Sequence, residues 1–186
     1  MISRRSRAHY GIIFKEQYQA NKHKGQSSKK DKVDGKEYAH NQIKWLITAG
    51  EPVDETVPFE HSYERRVPYK TQREEWTEYV VSYEGSLDER PTWRSPSQND
   101  VQVVLAIPFV WIPLYEEVHN GTVRTSSRHW WSVLSSSRYW KTRHQLRIFV
   151  LPADLRFELY CISERGERKL EEDGMVSVDW EAIVEE

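Results

Sequence analysis

Two alternating segments joined by a short turn set the first limit on the fold. In His144-Gln-Leu-Arg-Ile-Phe-Val-Leu151, the side chains of Leu146, Ile148 and Val150 fall on one side of an extended chain. Pro152-Ala-Asp154 turns the chain, and Leu155-Arg-Phe-Glu-Leu-Tyr-Cys-Ile162 returns with the same two-residue period. The pair reads as a hairpin, so the core has to be built around strands.

Further segments extend the pattern. Asn41-Gln-Ile-Lys-Trp-Leu-Ile-Thr48 reads as a strand ending at the Ala49-Gly50-Glu51-Pro52 turn, and Glu75–Tyr83 is rich in β-branched and aromatic residues. Val101–Pro113 is the most apolar stretch and reads as a central strand broken or ended at Pro108. Thr122–Thr125 begins another strand after the Asn120-Gly121 turn. Glu51–Lys70 and Glu84–Asp100 carry prolines and polar residues and read as irregular. Only Ser177–Val184 suggests a helix, of one or two turns, with Ser177 or Asp179 as its cap. The expected fold is mainly β, a sandwich or jelly-roll-like barrel, with an α+β layout second.

Charge divides the chain into four blocks that the net charge of −2 conceals. Residues 1–36 carry 10 basic and 3 acidic side chains, and residues 37–117 carry 7 and 15. Residues 118–153 carry 6 basic side chains and no acid, and residues 154–186 carry 4 and 11. The first block has few residues able to pack, so it reads as a disordered basic arm, with His9–Phe14 as a short exception that could pair with the domain. The expected organisation is a flexible arm over 1–36, a β-rich domain over 37–163, and an acidic tail with a short helix over 164–186.

The single cysteine, Cys161, lies in the returning strand and reads as a buried, inert thiol, which fits a reducing compartment. Met1–Arg7 has the positive start of a signal peptide without an apolar run behind it. Val101–Leu114 is too short to span a bilayer. The expectation is a cytoplasmic or nuclear protein, neither secreted nor transmembrane.

Within the third block, Ser126-Ser-Arg-His-Trp130 is echoed ten residues later by Ser136-Ser-Arg-Tyr-Trp140. An even offset puts equivalent residues on one face of a strand, whereas ten residues of helix leave them about 80° apart. Arginine with planar rings is the combination that unpaired nucleic acid requires, because guanidinium groups pair with phosphates and rings stack on bases. The same residues also suit a core of tryptophans overlaid by arginines, or a protein interface. The expected nucleic-acid contacts are Arg4, Arg5, Arg7, Lys22, Lys24, Lys29, Lys30 and Lys32 of the arm. Arg124, Arg128, Arg138, Lys141, Arg143, Tyr139 and Trp140 supply a fixed surface.

Alternating charge blocks can also meet between copies, which makes self-association expected. A basic arm, a β-domain and self-association together are similar to the layout of viral structural proteins of the capsid, matrix or movement type. That likeness is carried by no motif, and the proline-rich tetrapeptides common in viral matrix proteins are absent. Asp179-Trp-Glu-Ala-Ile183 resembles the linear motif of autophagy receptors, in which Trp180 and Ile183 would fill a partner's pockets. A terminal helix docking those two side chains onto the domain is the competing expectation.

Enzyme chemistry ranks lower. The histidines at 9, 23, 40, 61, 119, 129 and 144 lack metal-ligand spacing, and no glycine-rich phosphate loop or nucleophile elbow is present. Asp54, Glu60, Glu64 and Lys70 offer nuclease residue types within the irregular stretch. The leading expectation is a non-enzymatic protein without cofactor that binds single-stranded RNA or DNA. A scaffold that binds a protein partner or an anionic membrane is second, and a metal-dependent nuclease third.

Overall fold

The computed structural model describes residues 3–54, 56–69, 71–95, 97, 100–114, 119–124, 136–151, 153–170, 174–178 and 180–183. Fourteen strands are present among them: β1 (Ser3–Ser6), β2 (His9–Gln17), β3 (Ser28–Lys30), β4 (Glu37–Ile47), β5 (Pro52–Val53), β6 (Phe59–Pro68) and β7 (Glu74–Tyr83), then β8 (Gln102–Trp111), β9 (His119–Arg124), β10 (Ser136–Val150), β11 (Asp154–Ser163), β12 (Gly166–Lys169), β13 (Gly174–Ser177) and β14 (Trp180–Ile183). They form a five-stranded sheet in the order β3-β4-β2-β7-β8. A six-stranded sheet runs β12-β11-β10-β6, with β9 pairing β10 and β13 pairing β11, and a small sheet runs β14-β1-β5.

Every strand pair is antiparallel. The two larger sheets share one core, so the architecture is a β-sandwich. Ile12, Ile47, Val80, Ile107, Phe109 and Trp111 of the first sheet pack with Leu146, Ile148, Leu155, Phe157 and Leu159 of the second. The expected hairpin is the spine of the second sheet: Val150 pairs Leu155 and Leu146 pairs Leu159, and Leu146, Ile148 and Val150 all point inward. Cys161 is buried on the same face.

A smaller cluster of Ile43, Val81, Tyr83 and Val101 lies apart from that core, with Ile13 and Trp45 packed against it. The segment between β7 and β8 runs beside β4. Thr92 O accepts from the Ile43 amide at 2.9 Å, and Pro91 O from Trp45 Nε1 at 2.7 Å.

Four expectations are corrected. The described residues of the expected arm over 1–36 are part of the fold well beyond the His9–Phe14 stretch expected to be able to pair, because β2 is the central strand of its sheet and pairs both β4 and β7. Polar contacts order the stretch that follows, which is why its low hydrophobicity misleads. His23 is fully buried, its Nδ1 accepts the Gln19 amide at 2.9 Å, and its Nε2 lies 3.0 Å from Glu16 Oε1. Second, residues 59–68 form β6, whose inward positions His61, Tyr63 and Arg65 are polar or amphipathic, so no aliphatic alternation announces it. Third, β8 continues through Pro108, which is tolerated because β8 is an edge strand paired only with β7. Fourth, the expected C-terminal helix is replaced by strand β14, which satisfies its backbone against β1 in the register Ser3↔Ile183 to Ser6↔Trp180. Residues 164–170 and 174–178 likewise supply β12 and β13 to the second sheet.

Candidate binding cleft between the sheets

Strands β2 and β7 pair only from His9↔Tyr83 to Ile12↔Val80. Beyond that point they separate, and Ile13, Phe14 and Lys15 face Thr77, Glu78 and Tyr79 across a cleft of about 500 Å³. The edge strand β6 supplies a further wall through residues 61–66. Asn41, at a φ of 59°, and His40 complete it where β4 runs beside an irregularity in β2.

Rings run inward from this cleft. Phe14 meets His61 edge-on at 5.9 Å, His61 stacks on Tyr63 at 5.6 Å, and Tyr63 stacks on His144 at 5.7 Å. Lys44 Nζ donates to His61 Nδ1 at 3.1 Å. Burial and the Lys44 charge lower the His61 pKa to about 4, so this ring is neutral at physiological pH.

Glu78 is nine-tenths buried, and its Oε1 accepts from Tyr63 Oη at 2.6 Å and from Trp76 Nε1 at 2.8 Å. Burial raises the Glu78 pKa, opposed by those two donors and by Arg65. Arg65 in turn lies over the Trp76 ring at 4.1 Å. Burial and the adjacent Glu78 push the Tyr63 hydroxyl well above its ordinary value, which keeps it a donor.

A second polar group lies on the β4 side. Asp34 Oδ2 accepts from Tyr38 Oη at 2.7 Å and from Arg66, and Arg66 also reaches Glu64. Burial alone would raise the Asp34 pKa, but Tyr38, the Lys36 amide and Arg66 hold it below the usual range. Burial together with Asp34 raises the Tyr38 pKa to about 12. Lys15 pairs with Asp31 at 2.7 Å. At the rim, burial and the charges of Lys15 and Lys29 lower the His40 pKa, and the lysine-bearing strand β3 lies beside the cleft because Lys29 pairs with the lining residue Tyr38.

The expected nucleic-acid contacts are divided by the fold. Arg4 and Arg5 lie in β1, with Arg7 just after it. Lys22, Lys24, Lys29, Lys30 and Lys32 are exposed on and around β3, and Lys22 is paired with Glu16 at 2.7 Å. Arg124 and Arg138 are in the paired strands β9 and β10, while Arg128 and the first copy of the serine–arginine–tryptophan echo lie outside the described residues.

Tyr139 is buried and Trp140 is packed beside Tyr69 and against the core, so these two rings of the second copy serve packing. Lys141 lies 3.7 Å from Glu64, and Arg143 is exposed opposite Glu64. Trp180 and Ile183 are in β14, whose backbone is engaged with β1 within the same chain. Of the nuclease set, Glu60 pairs with Arg147 and Glu64 with Arg66, Asp54 is exposed in a turn, and Lys70 lies outside the described residues.

The fold and its inter-sheet cleft thus define an antiparallel β-sandwich built from both ends of the chain. The chain belongs to the family described as a domain of unknown function, DUF8568, whose pattern matches residues 4–182. That match begins within the expected arm and ends within the expected tail, as the sheets do. No curated protein and no solved structure matches the chain. Among the described residues no helix is long and apolar enough to cross a membrane.

The cleft went unread in the sequence because its residues come from β2, β4, β6 and β7. The one local signal was the run of adjacent rings and charges His61-Ser-Tyr-Glu-Arg-Arg66 in a segment read as irregular.

Proposed function

We propose that the chain binds single-stranded RNA or DNA, without catalysing a reaction, through the lysines that surround β3. One observation carries this reading. Lys24, Lys29, Lys30 and Lys32 are exposed and make no ion pair among the described residues, whereas Lys15 and Lys22 are neutralised by Asp31 and Glu16. Uncompensated cations along an edge strand attract a polyanion and release its counterions on contact. Four such phosphate contacts give a slope of about −3 in log affinity against log salt for a single strand. The arginines Arg5 and Arg7 and those of the β9–β10 hairpin would add contacts outside this cluster.

The test is fluorescence anisotropy of a labelled single-stranded RNA and a matched duplex across a salt series. The expected result is preference for the single strand, with the slope reduced by about 1.4 in the double variant Lys29→Glu, Lys30→Glu. Unchanged affinity in that variant would reject the lysine edge as the site. Displacement of bound RNA by anionic vesicles would favour a lipid surface in its place. Self-association belongs to the same reading: sedimentation should detect oligomers at low salt that dissociate as the charge blocks are screened.

A further inference from the structure

We infer that the cleft between β2, β6 and β7 receives one unpaired base of the bound strand, with an amino-bearing base such as cytosine favoured over uracil. The inference rests on the nucleic-acid reading above and names what that strand would place in the fold.

Four observations lead to it. The cavity, about 500 Å³, is of a size that takes a small organic ligand. Its walls include planar groups suited to stacking: Phe14, half-buried and backed by His61, and Tyr79, which is 42% exposed. Stacking on such rings is the sequence-tolerant part of single-strand binding.

The third observation is the state of Glu78. Its Oε1 is occupied by Tyr63 and Trp76, while Oε2 takes no hydrogen bond among the described residues. This leaves a nine-tenths buried carboxylate lining the cavity with an acceptor oxygen to spare. A carboxylate oxygen accepts from the 4-amino group of cytosine, whereas uracil carries at that position a carbonyl oxygen, which it would oppose. The backbone edges of Ile13–Lys15 and Thr77–Tyr79, no longer paired to each other, border the same space.

The fourth observation is continuity with the lysine edge. Tyr38 and Lys15 line the cavity, and Lys29 of β3 pairs with Tyr38 in the same sheet. A base in the cleft therefore leaves its phosphate near β3. The acids of the wall are largely offset by neighbours: Asp31 by Lys15, and Glu64 by Arg66 and Lys141.

Two measurements on the full chain test this. In the first, free cytidine 5′-monophosphate is titrated while the His61 imidazole resonances are followed by NMR. Saturable shifts are expected, and an imidazole unmoved at millimolar nucleotide would overturn the inference. In the second, anisotropy compares a labelled oligocytidine with an abasic oligomer of equal length. Oligocytidine should bind about tenfold more tightly, the order of one stacked base. Phe14→Ala should abolish that difference without weakening the abasic oligomer.

Glu78→Gln, which keeps the side chain's shape but puts an amide donor in the place of Oε2, should abolish or reverse the preference for cytidine over uridine monophosphate. A retained preference in that variant would remove Glu78 from the site. Equal binding of both oligomers by the wild-type chain overturns the base site while leaving the lysine edge intact. Saturable nucleotide binding with neither oligomer bound supports the cleft and rejects the lysine edge.

Discussion

His61 is held neutral inside the fold by burial and by Lys44, with its pKa brought from 6.5 to about 4. The unfolded chain takes up that proton near pH 6.5 and the folded chain does not, so the unfolded state binds more protons between these values. Stability is therefore full above about pH 6.5 and falls as the pH drops towards 4, by at most about 3 kcal/mol for this one group. Urea melts from pH 7.5 to pH 4 should trace that decline. His61→Gln should flatten it, and an equal decline in the variant would assign the effect to other residues. Tyr63 offers a second check at this scale. Tyr63→Phe deprives Glu78 Oε1 of a donor 2.6 Å away, and should cost about 1–3 kcal/mol in the same melts at pH 7.5.

Strand β14 is the element whose role differs most from its sequence signature. Its four residues complete the backbone pairing of β1, which among the described residues otherwise pairs with Pro52 and Val53 of β5 and accepts the Gly50 amide at Ser6 O. Deleting residues 179–186 should expose the amides of Ser3–Ser6 to hydrogen exchange while leaving β10 and β11 protected. Protection retained at Arg4–Ser6 would mean that the pairing contributes little in solution.

The hairpin that the sequence shows most plainly has apolar inward residues throughout, Leu146, Ile148 and Val150 opposite Leu155, Phe157 and Leu159. Strands with polar interiors could not be read that way. β6 hides behind His61, Tyr63 and Arg65, and of the block whose charge suggested a tail only His9–Phe14, the start of β2, was legible as a stretch that could pair with the domain. The edge position of β8, which makes Pro108 tolerable, is a fact of sheet order and leaves no local trace. For the cleft, the residue types were visible and their meeting was not. Lys29 and Lys30 were legible as exposed cations because nothing near them in sequence could bury them.

At the scale of the whole molecule, the basic N-terminal block and the folded unit are the same object. Removing residues 1–36 withdraws β2 from the centre of a five-stranded sheet and with it the partners of both β4 and β7. Such a truncation should yield an unfolded or aggregating chain, judged by loss of a cooperative thermal transition. A truncated chain that melts cooperatively would show that the block is dispensable to the fold. Loss of nucleic-acid binding on deleting 1–36 would therefore not identify an arm, and point substitutions such as Lys29→Glu are the informative ones.

The pairing of Ser3 with Ile183 also bears on how the molecule is made. β1 is translated well before its partner, which emerges 180 positions later. Contacts of such long sequence separation form late because the intervening loop must close first. While the ribosome is still adding residues, β1 presents an unpaired edge with nothing of its own to satisfy it. The nascent chain therefore carries an open seam along β1 until β14 has emerged.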